Sequence, residues 1–513
     1  PLSLLPEGAT IPSGQTWAGS PARPVKTSRV SPEIKSEAPQ SKLMVAFLYS
    51  IAFPALALFP LIAALPGMLF LAWVDNNNEW YVSMAVAPIV VGSFMLFFAM
   101  QIVAAKWMLL GKVTAGRHAV HSSFYMRHWF CDRLLHTSLD LLFPAYATLY
   151  LAPWLRMLGA RLGKKAEVST IMHFTPDLLE LGEESFIADA ASVGAARVHD
   201  EFLELLPVKI GAQSFVGNSA VIPGGSELGE KCLIGCLSIP PSNEQDRSRY
   251  DASWMGSPAV YLPNRPVNTQ FADELTYNPP KRLYIIRGAI ELMRMILPGS
   301  VLIATSIVLM YLASHVGGYL EWREFILVFP FFTVLLGLVA TVFTVLMKWL
   351  VIGRYKAGES PLWSTFVWRS ELVTALHDYL ATPTFVGMLR GTPFISWYFR
   401  ALGAKVGKRV YFDSTFMTEF DLIDIGNDCY INTDCDLQTH LFEDRVMKMS
   451  YVKLRERCSV GAFSLILYDT LLRDDSVLAP LSLVLKGETL SADAGRWIGS
   501  PVRAQSRNSD AAR

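Results

Sequence analysis

Net charge is missing from this sequence, in which 45 Lys and Arg are balanced by 45 Asp and Glu. A phosphate-binding surface needs clustered Lys and Arg that nothing offsets, so nucleic acid is not expected as a partner. Cysteine is sparse too. The 6 present include no CxxC pair, which removes the zinc-knuckle pattern, and with no recognisable secretory signal peptide a disulfide framework is not suggested either. Reduced thiols in a cytosolic setting, with no bound metal, are the expectation. What the chain has in plenty is apolar surface, 52% of residues being hydrophobic, more than a soluble enzyme usually carries. Residue 1 is Pro rather than Met, and the first segment reads as the end of a folded unit, so the chain is expected to be the carboxy-terminal piece of something longer.

Long uncharged stretches come in two pairs. Leu43 to Val74 carries no charge and is long enough to cross a hydrocarbon core of about 30 Å with tilt, while Pro54, Pro60 and Pro66 predict kinks in it. Tyr81 to Leu110 is uncharged until Lys106, and the turn between the two holds Asp75 and Glu79 but no Lys or Arg. The outer flanks carry Arg23, Lys26, Arg29, Lys35 and Lys42 on one side and Lys106, Lys112 and Arg117 on the other, which the positive-inside rule places in the cytoplasm. The pattern returns at Ile296 to Val316 and Ile326 to Ile352, after an amphipathic stretch bearing Lys281, Arg282, Arg287 and Arg294. Two hairpins across the inner membrane leave every large domain on its cytoplasmic face. The alternative, buried helices of a soluble core, fits less well because uncharged runs beyond about 18 residues are uncommon there.

Between the hairpins the period changes to six. Aliphatic residues recur at Ile210, Val216, Ile222, Leu228 and Ile234, and a small residue follows each one at Ser214, Ala220, Ser226, Cys232 and Ser238. Neither a helix nor an alternating strand has this period. A three-sided solenoid does, with the aliphatic side chain filling the interior and the small one fitting the crowded corner. The last region repeats the pattern at Ile425, Ile431 and Leu437, then at Leu454, Val460, Ile466, Leu472, Leu478, Val484 and Leu490, with Cys429, Cys435, Cys458, Ser464, Thr470 and Ser482 in small slots. Packing therefore explains these cysteines better than redox or metal chemistry. Leu5, Ile11 and Trp17 have the same phase at the start. Each solenoid closes with a matching phrase, Trp17-Ala-Gly-Ser-Pro21, Trp254-Met-Gly-Ser-Pro258 and Trp497-Ile-Gly-Ser-Pro501, in which Trp can cap the coil, Gly permits a tight exit and Pro stops further pairing.

Other landmarks duplicate as well. Lys106-Trp107 with Gly111 matches Lys348-Trp349 with Gly353, Arg127 matches Arg369, and Leu158-Gly-Ala-Arg-Leu-Gly-Lys164 matches Leu402-Gly-Ala-Lys-Val-Gly-Lys408. The unit is one helical hairpin, one amphipathic segment and one solenoid. The predicted fold class is a multi-domain membrane protein in which left-handed parallel β-helix domains built from hexapeptide repeats alternate with transmembrane α-helical hairpins. Its divisions are the end of a solenoid over 1–24, a linker over 25–42, a transmembrane pair over 43–111, interfacial helices over 112–158 and a solenoid over 159–262. A linker and amphipathic helix over 263–295, a second pair over 296–353, interfacial helices over 354–400, a solenoid over 401–503 and a disordered tail over 504–513 complete it. The amphipathic segments, rich in Trp, Tyr, Leu and Arg, suit either the membrane surface or a layer packed on the solenoid. Hexapeptide transferases are often trimers with clefts between prisms, which tandem prisms in one chain, or a homo-oligomer, would reproduce.

The hexads of the last solenoid break between Leu437 and Leu454, and the break carries Gln438-Thr-His-Leu-Phe-Glu-Asp-Arg445. Irregular excursions from a rigid coil are where function concentrates. His440 is the candidate general base, Glu443 and Asp444 the carboxylates that would orient it, and Arg445 a candidate holder of an anionic group. Upstream, Thr418-Glu-Phe-Asp421 supplies Glu419 and Asp421, two carboxylates able to bind a cationic amine. The plainer alternative is that His440 bonds a neighbouring coil and the charges decorate a solvated loop. The corresponding segment of the middle solenoid, Gly194-Ala-Ala-Arg-Val-His199-Asp-Glu201, lacks the phrase, so that unit is expected to be degenerate, structural or specialised for binding.

Taken together, the Trp-x-Gly-Ser-Pro closures, tandem solenoids, hairpin pairs, Thr-Glu-Phe-Asp and Gln-Thr-His-Leu-Phe-Glu-Asp-Arg resemble the membrane-bound carboxy-terminal region of poly-lysine-synthetase-type nonribosomal peptide synthetases, over nearly the whole chain. The resemblance implies an acyltransferase in which an amine attacks an aminoacyl thioester held as phosphopantetheine on a carrier domain, and forms a peptide or isopeptide bond. The carrier domain, in the same full-length chain, and membrane lipid are the implied partners. It also implies that His440 helps deprotonate the acceptor amine while Glu419, Asp421, Gln438, Thr439, Glu443, Asp444 and Arg445 position substrate. Two other readings stay open: an O- or N-acyltransferase using acyl-coenzyme A, and a non-catalytic membrane scaffold that docks carrier domains.

Overall fold

The computed structural model describes residues 3–5, 8–25, 34–35, 41–263, 270–317 and 322–505. Most of the linker expected over 25–42 and nearly all of the tail expected over 504–513 lie outside the described residues.

The six-residue period winds the chain around three parallel sheets, each visited in turn. In the middle prism, one sheet holds Arg161–Leu162, Leu179–Leu181, Val208–Ile210 and Glu227–Leu228. The second holds Glu167–Val168, Phe186–Ile187, Phe215–Val216, Leu233–Ile234 and Ser253–Met255, and the third Ile171–His173, Ala191–Val193 and Val221–Ile222. Lys209 pairs with Glu227 and Phe215 with Leu233, so one circuit consumes three hexads. The last prism, from Lys405–Val406 to Arg496–Ile498, has the same three-sheet plan. In the middle and last prisms the aliphatic hexad positions are buried, and so are the small slots, Ser214, Cys429 and Ser482 among them, whereas Leu5 and Ile11 at the start of the chain are exposed. Corner residues such as Gln213, Ser219, Lys231 and Phe463 take positive φ, which turns the strand without a long loop. None of the six cysteines is in a disulfide and all are buried, as the packing explanation requires.

The break in the hexads is an ordered hairpin. His440–Glu443 pairs antiparallel with Val446–Met449, which in turn pairs with Gly358–Pro361 from the segment before the prism. The middle prism has the counterpart, Arg197–His199 on Phe202–Leu205 on Gly116–Ala119.

Among the described residues, four helices are long and apolar enough to cross a membrane: Leu43–Asn77, Ala87–Leu109, Lys281–His315 and Ile326–Val351. Leu69, Phe331 and Leu350 on them are exposed, as lipid-facing residues are. The third runs unbroken through the stretch expected to be a separate amphipathic helix before Ile296. Arg287, Glu291 and Arg294 in that stretch are buried rather than interfacial, because Arg287 donates to Glu167 and Glu291, Arg294 to Glu371 and main-chain carbonyls, and Glu291 also accepts from Leu149 N. The segments expected at the membrane surface are likewise packed into the protein: Trp363, Trp368, Leu376, Leu380 and Phe399 are buried, and on this layer Phe394 and Trp397 are among the large apolar side chains left exposed.

The duplication extends to individual bonds. Lys106 meets Asp177 at 2.8 Å and Lys348 meets Asp421 at 2.7 Å, each from the last turn of a membrane helix. Asp177 also accepts from Val113 N and Asp421 from Tyr355 N. Trp107 donates to Met157 O and Trp349 to Ala401 O, while Arg127 and Arg369 cover the end carbonyls Leu109 O and Val351 O. Asp421, expected as a substrate ligand, is instead half of a buried clamp, its Oδ2 accepting from both Lys348 Nζ and Tyr355 N.

The three closing phrases meet one another. Ser20 N donates to Ser257 O, Ser257 N to Ser500 O and Ser500 N to Ser20 O, at 3.0, 3.2 and 3.2 Å. Glycine is required here for space as well as for its φ of 94° to 112°. A Cβ on Gly19 would stand 2.7 Å from Ser257 O, and one on Gly256 would stand 2.6 Å from Ser500 O.

Removing one member of a buried ion pair strands the other, at a cost of about 3 kcal/mol or more. Asp421→Ala should therefore lower the unfolding midpoint of the detergent-solubilised chain sharply, whereas Asp475→Ala, which breaks an exposed pair with Arg457, should leave it unchanged; equal effects would contradict the clamp.

Candidate active site

A cavity of about 790 Å³ lies between the middle and last prisms and under the helical layer. The middle prism contributes Glu167, Phe186, Asp189 and Phe215; the helices contribute Arg294, Glu371, Asp378 and Tyr379; the last prism contributes Glu419, Asp436, Gln438 and His440. No single solenoid encloses it.

His440 opens the excursion hairpin, one strand alternation after Gln438. Its Nδ1 donates to Glu419 Oε2 at 2.8 Å. That carboxylate is 1% exposed and accepts three further hydrogen bonds, from Ser370 Oγ at 3.1 Å, Thr418 Oγ1 at 2.6 Å and Thr439 Oγ1 at 2.7 Å. Four donors on one buried carboxylate hold it ionised and fixed. Burial pushes Glu419 toward protonation, but the His440 charge and the hydrogen bonds of His440, Thr418 and Thr439 outweigh it and hold the carboxyl below its usual range. Burial likewise works against charge on His440. The Glu419 charge and hydrogen bond, with Asp189 and Asp436 behind them, overcome this and raise the imidazole above its ordinary value. With Nδ1–H committed to Glu419, the neutral ring presents Nε2 as an acceptor, and among the described residues Nε2 has no hydrogen bond.

Of the residues expected in the site, Glu419, Gln438 and His440 line the cavity, and Thr439 reaches Glu419 from behind. Glu443, Asp444 and Arg445 do not line it. Alternation along His440–Glu443 sends Glu443 to the opposite side from His440, where it meets Lys448, Lys486 and Tyr468. Asp444 sits at the hairpin turn with φ 48°. The orienting carboxylate is thus Glu419, and not Glu443 or Asp444. Arg445 spends Nη1 on Glu167 at 3.3 Å and Nη2 on Lys165 O at 2.6 Å, which ties the hairpin tip to the middle prism and away from the cavity.

Asp189, Asp378 and Asp436 were not anticipated. Asp436 had a readable signal, its outward place on the strand just before His440. Asp378 had none, because it enters the cavity from a π-type turn, His377–Ala381, a local irregularity that recurs at functional sites. Its neighbour His377 is a structural histidine. Burial lowers it to about 4, so the neutral ring donates from Nε2 to Thr415 O at 3.0 Å and accepts from the Tyr398 hydroxyl at 2.8 Å. Aligning Asp177 on Asp421 and the turn Asp200-Glu201 on Asp444-Arg445 places Thr175 and Ala196 where the last unit has Glu419 and His440. The middle unit has no dyad.

The chain is 35% identical to Delta-poly-L-ornithine synthetase of Acinetobacter baumannii (strain AB307-0294) over 517 residues that cover 98% of the chain. It spans 38% of that protein's length. The resemblance read from the motifs thus holds over nearly the whole chain. No family model matches it. Among solved structures, a maltose O-acetyltransferase from Clostridium difficile 630 aligns with 31% of this chain and 97% of its own, at 15% identity and a TM-score of 0.24. A serine acetyltransferase from Neisseria gonorrhoeae covers 45% and 96%, at 13% identity and a TM-score of 0.18. At such scores the coil rests on its own strand pairing, not on these likenesses.

The raised imidazole contributes stability that is complete below its ordinary pKa of 6.5 and is lost as pH rises through the folded value. The depressed carboxyl contributes stability present above 4.5 and lost as pH falls through its folded value. Glu419→Gln should therefore lower the unfolding midpoint most between pH 4.5 and 6.5, and less as pH rises beyond that window. Calorimetric midpoints differing by the same amount at every pH would show that the pair is not ionic.

Proposed function

We propose that this chain, a relative of a poly-amino-acid synthetase over nearly its whole length, joins amino acids through amide bonds at the His440 site. The observation that carries the reading is the pairing of His440 with a buried, four-fold hydrogen-bonded Glu419 on the wall of a cavity between two prisms. The donor is an aminoacyl thioester on a carrier's phosphopantetheine arm. The acceptor amine attacks the thioester carbonyl carbon, the C–S bond breaks, and the thiolate leaves. His440 Nε2 takes the proton lost by nitrogen and returns it to sulfur, so amide and thiol are the only products. A thioester is already activated, so one base and good positioning suffice. Phe186, Phe215 and Phe463 supply apolar wall for the extended donor.

The full chain in detergent, given a chemically prepared aminoacyl-pantetheine and an amino acid, should release thiol in step with amide. His440→Ala should slow this by about 10²- to 10⁴-fold; an undiminished rate refutes the assignment, and thiol release from acetyl-coenzyme A but not from the aminoacyl donor would replace it with an acetyl transfer. Because the free base is the active form, the rate should rise with pH through a midpoint above 6.5. Glu419→Gln should move that limb to lower pH, since it removes the charge that raises the imidazole, and should lower the plateau.

We infer further that the prisms face the cytoplasm, from Lys106, Lys112, Arg117, Lys281, Arg282, Lys348 and Arg354 beside the helix ends. All native cysteines are buried, so a cysteine placed at Asn78 should react with a membrane-impermeant maleimide added outside intact cells. Labelling only after lysis would reverse the topology.

A further inference from the structure

Two side chains flank Thr439 where the chain enters the excursion hairpin, Gln438 before it and His440 after it, and both line the cavity. Their direction follows from the coil. Leu437 is fully buried in the prism interior and Thr439 is fully buried against Glu419, so the alternating positions Gln438 and His440 turn outward together. Gln438 is 8% exposed, yet its side-chain amide makes no hydrogen bond among the described residues. A buried amide without a partner costs free energy that a polar ligand recovers. Several other donors on the cavity wall are committed: Ser370 and Thr418 to Glu419, Ser169 and Thr170 to Asp189, and Arg294 to Glu371 and two carbonyls.

The spacing suits a single reacting carbon. Positions two apart on an extended chain are separated by about 6.6 Å. An imidazole and an amide at that separation can bracket one tetrahedral centre, with Nε2 about 2.9 Å from the attacking nitrogen and the amide nitrogen about 2.9 Å from the oxygen. The surroundings make such a donor necessary. Once nitrogen has added, the former carbonyl oxygen carries a full negative charge, and Asp189 and Asp436 stand near enough to His440 to raise its imidazole. The oxygen's charge therefore develops against carboxylates unless an N–H meets it. A cationic side chain in that place would pair with those carboxylates, whereas a neutral amide keeps its N–H bonds for the oxygen.

We propose that the side-chain amide of Gln438 is the oxyanion donor for the reaction at His440, its N–H bonds directed at the oxygen of the tetrahedral intermediate. This rests on the reading of His440 as the base. As the N–C bond forms, the carbonyl π pair moves onto oxygen, where Gln438 donates to it, and His440 Nε2 takes the proton lost by nitrogen. The pair on oxygen then restores the carbonyl, the C–S bond breaks, and the proton passes from His440 to sulfur. Gln438 ends the cycle unchanged, having bound the oxygen more strongly while it was charged.

Thiol release by the full chain in detergent, from aminoacyl-pantetheine or acetyl-coenzyme A, whichever the wild-type chain consumes, reads kcat and KM separately. Gln438→Met keeps the length of the side chain and removes its N–H bonds. It should lower kcat by about 10²- to 10³-fold and leave KM within about twofold, the pattern of an interaction made only in the transition state. The rising limb of the pH profile should keep its wild-type midpoint, because His440 and Glu419 are untouched. The unfolding midpoint should not fall, since an unpaired buried amide gives way to an apolar group of the same length. Gln438→Glu, which has no N–H to offer, should be no more active than Gln438→Met. Unchanged kcat in Gln438→Met, a raised KM with kcat kept, or a lowered unfolding midpoint would overturn the proposal, and with His440→Ala inactive it would leave the base in place. Undiminished turnover in His440→Ala, or no turnover of either thioester by the wild-type chain, would overturn both.

Discussion

Glu167 is where two prisms and a membrane helix are held together. Its carboxylate lies between Arg287, rising from the third membrane helix, and Arg445, reaching across from the hairpin of the last prism. A carboxylate in this position is tolerated only because both guanidinium groups reach it, and each of those is satisfied further, Arg287 by Glu291 and Arg445 by the carbonyls of Lys165 and Glu184. The geometry is exacting because any shift of one prism would strand a buried charge. Together with the ring of Ser20, Ser257 and Ser500 at the closures, it fixes the prisms face to face. The cavity is what remains between them.

That arrangement separates the tasks of the two repeats. Both keep the clamp of a membrane-helix lysine on an aspartate, and both keep the excursion hairpin paired to a strand from the helical layer. Only the last carries Glu419 and His440. The middle prism lends a wall instead, with Phe186 and Phe215 stacked at 5.4 Å and Asp189 at the corner. Structural bonds recur because each hairpin must be joined to its own prism, whereas a single His–Glu pair lies on the wall of a cavity that both prisms share.

Arg287 and Arg294 also join the membrane helix to the site, since the same helix that enters the apolar region lines the cavity at its other end. Glu371 and the carbonyls of Tyr146 and Ala147 take up Arg294 at 3.0, 3.1 and 2.6 Å. A helix expected to break into an interfacial part and a spanning part is instead continuous, because its charges are neutralised inside the protein rather than at the lipid surface.

The period of six, the four apolar stretches and the repeated closures depend on neighbours close in sequence or on simple repetition, so the coils, the spans and the duplication were legible from residues alone, as was the excursion that carries His440. Its partner was not, for an excursion read as a loop gave Glu443 and Asp444 equal standing. Only the antiparallel pairing of His440–Glu443 turns Glu443 away and brings Glu419, from the preceding coil, within 2.8 Å. Asp421 and Arg445 looked like substrate ligands because nothing local revealed Lys348 or Glu167. Contacts of that kind join residues remote in the chain, and their existence follows from how rigid prisms meet, a matter of shape and buried charge that no short stretch of sequence encodes.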